Sequence, residues 1–564
     1  MFIRRLHIRG FRGITEMEWL LEPGINCLVG PGDSGKSTVL AAVALLLSPA
    51  PGYSVSEYDY YRRRVDDGFE IEAVLAAVDE KAVSTLRVPM FHGWQNGQVI
   101  GLPDEGDAES VLVARASGSP ELELTHSLLP PGGDEPRSFP VALRQRLAFS
   151  RVSGGPASAR ELRLGRGTLL DKYLGGADLR TQLQEVVAAA SGSLTLPADI
   201  DAAVAGLRGR FAAAGLPSDL GLGVITPQGA SLLSLVGLVS GEDTTTSVPL
   251  AFSGAGTRQM ALFQISAAMS MSSPILTLDE PEVGLEPYRQ KFLIGQLRQV
   301  IGSTGQAFIT THSPSMLETM SAEEVWRLVP GGKPISLSTP KLSSLFGRSP
   351  ASFLSALPLV CEGATEVGLL PPMLQTKAVR DGFENVDALG VVLIDGLGNE
   401  NAVAEVQALL DIGVRCGAFV DAEKTGSGKR ERLEGDNNCA FGSWPGGDVR
   451  NIEDAVARWV TWDDLSELVE LAAKLQERPV DHLLQQIGDR AGRAGKASLD
   501  DLRSEVGEDA VRSALAEAMS SRGWFKKTKL AGELARFLQE HGVPPQIDEV
   551  VEALWGEIRK ALAR

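Results

Sequence analysis

The stretch Leu28-Val29-Gly30-Pro31-Gly32-Asp33-Ser34-Gly35-Lys36-Ser37-Thr38 constrains this chain more than any other. It spells G-x-x-x-x-G-K-S between a mostly apolar run, Ile25 to Val29, and an apolar helix-forming segment, Thr38 to Leu47. Strand, glycine loop and helix in that order are the context a phosphate-binding loop requires. Gly30, Gly32 and Gly35 let backbone N–H groups converge on phosphate oxygens at a helix N-terminus, Lys36 can reach the β and γ phosphates, and Ser37 can ligate Mg²⁺. Asp33, Ser34 and Thr38 complete the loop, so Gly30 to Thr38 is the expected nucleotide site.

Bulk properties narrow the rest. At 564 residues the chain is too long for one ordinary core, and roughly 100 to 200 residues per domain implies three or four structural units. Hydrophobic residues make up 43% and charged residues 22%, and no apolar run approaches the roughly 18 residues needed to span a bilayer, so no membrane domain is expected. Met1 to Leu6 carries charge without an apolar core and small-residue cleavage site, which points to the cytoplasm. Cys27, Cys361, Cys416 and Cys439 are far apart and form no C-x-x-C pair, so they are expected as reduced thiols. The net charge of -18 argues against a protein that coats nucleic acid by overall attraction, while leaving local basic patches open. With only six histidines, metal chemistry should rest on carboxylates and hard cations.

Along the chain, Ile3 to Phe11 alternates apolar and basic residues and reads as an exposed strand. Phe69 to Leu75, Gln98 to Leu102, Val111 to Arg115 and Glu121 to Leu128 read as an antiparallel sheet beside the nucleotide loop. From about Glu161 to Val239 the composition turns to Ala, Leu and Gln with helical spacing, as at Leu179, Leu183, Val186 and Val187, which predicts a helical insertion. Ile275 to Glu280 is then an apolar strand ending in Asp-Glu, a Walker B pattern. Asp279 can hold Mg²⁺ and Glu280 can polarise an attacking water. Phe308 to Pro314 is another strand-like run, with His312 where a γ-phosphate sensor would sit, and Ser253-Gly254-Ala255-Gly256 is a polar turn opening a helix. In this order the motifs resemble the ATP-binding-cassette heads of the RecF/SMC-like branch, including the Gly10-Phe11-Arg12-Gly13 opening, although Asp33 stands where asparagine is frequent. The resemblance implies that Ser253, Gly254 and Gly256 act on a neighbour's nucleotide.

The second half repeats the logic with acids. Leu357 to Glu366 runs strand, Glu362, glycine turn, and a helix carrying Glu366; Cys416 to Glu423 is a strand ending in Asp421-Ala-Glu423. Four carboxylates after two strands suit divalent-metal phosphodiester cleavage. "V-C-E-G-x-T-E" followed by "V-D-x-E" resembles a Toprim domain, with Glu423 where aspartate is more usual, and a cassette ATPase joined to Toprim resembles the OLD (overcoming lysogenization defect) family of nucleases. Val391 to Asn399 is similar to that family's glycine-asparagine turn. The resemblance implies a two-metal site of Mg²⁺ or Mn²⁺, with Ca²⁺ as a further candidate. Its ligands would be Glu362, Glu366, Asp421 and Glu423, joined by Asp448 or Glu453, and Lys526 or Lys527 would stabilise phosphate charge.

The expected fold is therefore α/β: an ABC-type P-loop head with a helical insertion, then a Rossmann-like Toprim domain. Residues 1–155 and 245–350 form the head lobes, 156–244 a dimerising insertion, and 351–564 the nuclease domain with a helical C-terminal part. The expected function is an ATP-hydrolysing, metal-dependent DNA endonuclease, nicking or cutting, acting as a homodimer in phage defence or DNA processing, with a helicase as a candidate partner. The rival is a RecF-like DNA-binding ATPase whose Toprim fold serves only for docking, against which the four acids argue. A topoisomerase needs a tyrosine nucleophile, and the last tyrosine, Tyr288, precedes the second half.

Overall fold

The computed structural model describes residues 1–48, 55–78, 90–102, 108–133, 135–147, 149–153, 158–165, 168–175, 198–224, 236–241, 247–269, 274–329, 332–422, 429–493 and 498–563. They form two units, Met1–Ser338 and Thr339–Arg564.

The N-terminal unit is built on a six-stranded sheet in the order Phe149–Ser153, Ile275–Asp279, Gln306–Thr310, Gly24–Val29, Val325–Leu328, Pro334–Ser336. All neighbours are parallel except the last pair. Buried parallel strands read as continuous apolar runs, as Ile275-Leu276-Thr277-Leu278 does. The helix Lys36–Leu47 packs on this sheet and buries Val39, Leu40, Val43, Leu46 and Leu47.

A second, antiparallel sheet runs Ile14–Leu20, Phe2–Phe11, Phe69–Ala76, Glu109–Gly118, Phe91–Gln95, Gln98–Ile100, with Leu124–Leu129 also paired to Glu109–Gly118. The expected antiparallel strands are there. The expectation that Ile3 to Phe11 is exposed is corrected: the strand lies between two neighbours, and Leu6, Ile8 and Phe11 are fully buried. Its basic face looked solvated in sequence because the partners are distant acids. Arg5 pairs with Glu72 at 3.0 Å and Arg9 with Glu70 at 2.8 Å. Gln306 fastens this lobe to the parallel sheet, accepting from Ile3 N–H at 2.9 Å and donating to Ile3 O at 3.1 Å.

The helical insertion also needs correction. Helices Leu169–Tyr173 and Ala198–Ala213 are present, but Leu220–Val224, Val236–Ser240 and Val248–Pro249 form a three-stranded antiparallel sheet. The alternating Leu-Gly-Leu-Gly-Val of the first strand gives period 2 rather than 3.6. The periodic positions Leu179, Leu183, Val186 and Val187 lie outside the described residues.

In the C-terminal unit four strands are parallel in the order Val391–Asp395, Leu357–Cys361, Cys416–Val420, Cys439–Ser443. This unit starts earlier than residue 351. Helix Pro340–Arg348 belongs to it, because the Arg348 guanidinium donates to Asp395 O and to the fully buried carboxylate of Glu405. Helices from Ile452 to Leu562 bury Trp524, Trp555 and Leu554 in one core with Phe419 and Trp444. Helix Ala364–Arg380 lies so close to Thr528–His541 that a Cβ on Gly368 would stand 2.1 Å from Thr528 O. All four cysteines are buried, and no helix among the described residues is long and apolar enough to cross a membrane.

An ionic clamp ties helix Ala364–Arg380 to helix Pro545–Leu562: Lys377 meets Asp548 at 2.6 Å, Arg380 meets Glu552 at 2.6 Å, and Arg559 meets Asp381 at 2.6 Å. Arg380 foremost holds both acids down, Asp381 to about 2 from 3.8 and Glu552 to about 2 from 4.5. Depressed carboxyls contribute stability above their unfolded values and lose it as pH falls through the folded ones. The urea midpoint, followed by tryptophan fluorescence, should therefore fall between pH 4.5 and pH 2. Arg380→Ala should flatten that fall, and an equally steep fall in the variant would contradict the clamp.

Candidate functional site

The phosphate loop follows the strand Gly24–Val29 and closes at helix Lys36–Leu47. Gly30 has φ +144° and a Cβ there would sit 2.9 Å from Leu328 O, so the close backbone approach requires glycine. Asp33 takes φ +56°, a left-handed conformation that Asp and Asn tolerate better than most residues. The departure from asparagine thus keeps the backbone geometry. Lys36 is buried and its ammonium donates to Gly30 O at 3.0 Å and Pro31 O at 2.8 Å. Burial lowers its pKa, against the pull of Glu280, Asp279 and Asp33.

Parallel register brings the distant motifs to this loop. Asp279 pairs with Thr310 in the sheet, and Thr310 with Leu28. Asp279 Oδ1 accepts from Ser37 Oγ at 3.0 Å and from Thr310 Oγ1 at 2.5 Å. Ser37 and Asp279 thus place two oxygens side by side, of the kind a hard cation such as Mg²⁺ takes. Glu280, with φ +45°, donates its N–H to Thr310 O at 3.2 Å and Oγ1 at 3.1 Å, and its carboxylate lies 3.8 Å from His312 Nε2. The expected base and sensor therefore meet.

Two participants escaped sequence reading. Thr310 orients both Asp279 and Glu280, and Glu282 accepts the His312 N–H at 2.6 Å, its carboxyl pushed up by burial. Thr310 was hidden as one more β-branched strand residue. Ser253 and Gly254 lead into helix Ala255–Met269, where a Cβ on Gly256 would stand 2.2 Å from Gly284 O. That glycine is a close-packing requirement against the loop after Glu280.

In the C-terminal unit the chain reverses sheet direction at the strand Leu357–Cys361: the next strand pairs on one side, the following one on the other. Crevices at such switch points, beyond the carboxyl ends of strands, are where open α/β sheets take ligands. Glu362 and Asp421 lie there. Glu362 N–H donates to Phe419 O at 2.8 Å, and Asp421 N–H donates to Glu362 Oε2 at 2.8 Å. Gly398 N–H donates to Glu362 O at 2.7 Å, and Asn399 Nδ2 to Asp421 O at 3.2 Å, so the glycine-asparagine turn braces both acids.

Glu366 is 5% exposed and accepts from Gly363 N–H at 3.0 Å. Its carboxyl is pushed up to about 8, by burial first and then by Glu453 and Glu362. Glu453, also buried, is raised by burial, with Lys526 opposing and Glu362 adding to the rise. Glu362, Glu366 and Glu453 thus share one field, with Lys526 beside it. Asp448 is exposed and pairs with Arg458 at 3.3 Å. Lys527 is exposed at the start of helix Thr528–His541. Glu423 lies outside the described residues. Among the described residues no three His, Cys, Asp or Glu side chains are grouped as metal ligands. An all-oxygen set of carboxylates suits a hard cation.

Two family models match the chain. "AAA ATPase domain" covers residues 1–85, and "AAA domain, putative AbiEii toxin, Type IV TA system" covers 147–318. The "DNA double-strand break repair Rad50 ATPase" of Methanopyrus kandleri is 28% identical over 195 residues, 34% of this chain and 21% of that protein. The "DNA replication and repair protein RecF" of Proteus mirabilis is 25% identical over 160 residues, 28% of this chain and 38% of that protein. The chain therefore spans well under half of either relative. A crystal structure of an Smc head bound to the C-winged helix domain of ScpA aligns with 60% of this chain and 99% of that one, at TM-score 0.39 and 13% identity. The N-terminal unit thus carries AAA/ABC-type ATPase domains similar to those of Rad50 and RecF, and an ATPase domain implies ATP, usually with Mg²⁺.

Lys36→Ala should weaken ATP binding, whereas Glu280→Gln should leave binding intact and slow hydrolysis by about a hundredfold or more, as loss of a water-orienting group does. Equilibrium binding of a fluorescent ATP analogue with steady-state phosphate release separates the two. Full turnover in Glu280→Gln would contradict the assignment.

Proposed function

We propose that this chain is an ATP-hydrolysing, divalent-metal-dependent DNA endonuclease of the OLD type, with an ABC-like head on Gly30 to Thr38 and a Toprim-like C-terminal unit. The observation that carries the nuclease half is the buried acidic group at the sheet's switch point: Glu366 raised to about 8 by burial, Glu453 and Glu362, with Asp421 bonded to Glu362. Buried carboxylates set together either take up a proton, as the raised Glu366 does, or coordinate a cation that displaces it, and the second outcome is the one proposed. Glu362, Glu366, Asp421 and Glu453 would hold it, Glu423 being the further ligand that the family resemblance implies. When bound, Mg²⁺ or Mn²⁺ would supply an activated water and stabilise the leaving oxygen.

The chain's own groups do the rest. Asn399 and Gly398 fix the main chain of Asp421 and Glu362, keeping the acids at one level. Lys526, close enough to act on Glu453, would offset charge building on the phosphate, with Lys527 presented beside it. In the head, Lys36 would hold the phosphates, Ser37 and Asp279 the Mg²⁺, and Glu280 the attacking water, with His312 against Glu280. The Ser253-Gly254-Ala255-Gly256 turn would complete a neighbour's nucleotide site, so the active species is a homodimer. DNA as partner is supported by the repair relatives, and phage defence with a helicase partner by the family resemblance. The second reading, a RecF-like DNA-binding ATPase with a non-catalytic C-terminal unit, is favoured by one fact: both family matches fall within residues 1–318.

Asp421→Ala and Glu366→Ala should lower nicking of supercoiled plasmid in Mg²⁺ or Mn²⁺ by about a hundredfold or more, because each removes a cation ligand, while ATP hydrolysis stays within about threefold of wild type. Wild-type cutting by Asp421→Ala would leave the DNA-binding ATPase as the better account.

A further inference from the structure

The segment Glu57–Asp67 belongs to neither site, and it gathers an unusual set of side chains. Tyr58, Tyr60 and Tyr61 are three of the chain's six tyrosines, and Arg62, Arg63 and Arg64 follow at once. Three short 3-10 turns, Glu57–Asp59, Tyr61–Arg63 and Val65–Asp67, carry them. The knuckle is anchored from below: Tyr60 is 1% exposed, its hydroxyl donates to Ser119 O at 2.5 Å, and Arg12 N–H donates to Asp59 O at 2.9 Å.

Tyr61 is half-buried and Asp59 buried, while Tyr58 and the arginines face outward. Tyr58 is 67% exposed and all three arginines are exposed. Arg62 and Arg63 hold consecutive left-handed backbones, φ +51° and +60°, a conformation that costs a non-glycine residue energy. The guanidinium of Arg63 lies 5.0 Å over the Tyr58 ring and pairs with Glu57, and that of Arg62 lies 5.2 Å over Tyr61. Asp59 is taken up by Arg12 at 3.1 Å. Among the described residues no carboxylate forms an ion pair with Arg62 or Arg64, although Asp66 and Asp67 follow in sequence and the chain's net charge is -18.

We infer that Tyr58 to Arg64 is a nucleic-acid contact surface, in which Arg62 and Arg64 meet backbone phosphates and the Tyr58 ring stacks on an unpaired base of single-stranded DNA. Arginines left without acid partners beside exposed aromatic rings are the combination that single-strand binders use: charge tracks the backbone, and a ring offers a face to any base. This rests on DNA as the partner proposed above.

The two contributions separate by salt. Anisotropy of a labelled single-stranded oligonucleotide with the full-length chain, from roughly 50 to 200 mM salt, gives the slope of log K against log salt. Arg62→Gly with Arg64→Ala should lower that slope by about 1.4, two phosphate contacts on a single strand. Glycine suits the left-handed backbone at 62, so this variant keeps its fold, checked by an unchanged melting temperature and basal ATP hydrolysis. Tyr58→Ala should weaken binding about tenfold with the slope unchanged, and Tyr58→Phe should restore it. A wild-type slope and affinity in the arginine variant overturn the proposal, as does loss of polyglutamate binding with DNA binding intact, which would assign the knuckle to an acidic protein. A wild type that binds no DNA at low salt would instead overturn DNA as the partner.

Discussion

Parallel pairing ends neighbouring strands at one level, so the loops that follow them converge even when hundreds of residues separate them in sequence. In the N-terminal unit this register sets Leu28, Asp279 and Thr310 side by side, and Ser37 and Thr310 then share the Asp279 carboxylate. In the C-terminal unit Cys361 stands beside Phe419, and Glu362 and Asp421 are joined by a hydrogen bond just beyond. Neither arrangement survives a register slip, because every carboxylate would move along the strand by a residue and turn to the other face.

Around these strand ends, close backbone contacts replace side-chain bulk. Gly30 lies against Leu328, Gly256 against Gly284, and Gly368 against Thr528. The last of these sets helix Ala364–Arg380, which carries Glu366, against the segment that carries Lys526 and Lys527. An added methyl at such a contact displaces a chemically active segment as well as costing stability, since packed interiors give way poorly to extra volume.

What was legible in sequence was local. The phosphate loop could be read because its glycines, lysine and serine act through neighbouring backbone, and Glu280 and His312 because each ends an apolar run. The antiparallel strands after Phe69 followed from period 2. The strand Phe2–Phe11 misled because Arg5 and Arg9 find Glu72 and Glu70 on a strand more than 40 residues away, and the local sequence does not distinguish such a face from a solvated one. The sheet at Leu220 to Pro249 was lost in an alanine- and leucine-rich context whose glycine alternation carries a weak strand signal. Thr310, Glu282 and the Arg348–Glu405 pair depend on contacts between elements, which no window of sequence contains.

The acids around Glu366 are proposed as a divalent-cation site independent of the nucleotide loop. Isothermal titration of the nucleotide-free full-length chain with Mn²⁺ tests it most directly, because no second substrate is needed. Saturable binding that Glu366→Gln or Glu453→Gln abolishes and Lys36→Ala leaves unchanged is the expected result. Binding of equal strength and stoichiometry in all three variants would contradict it.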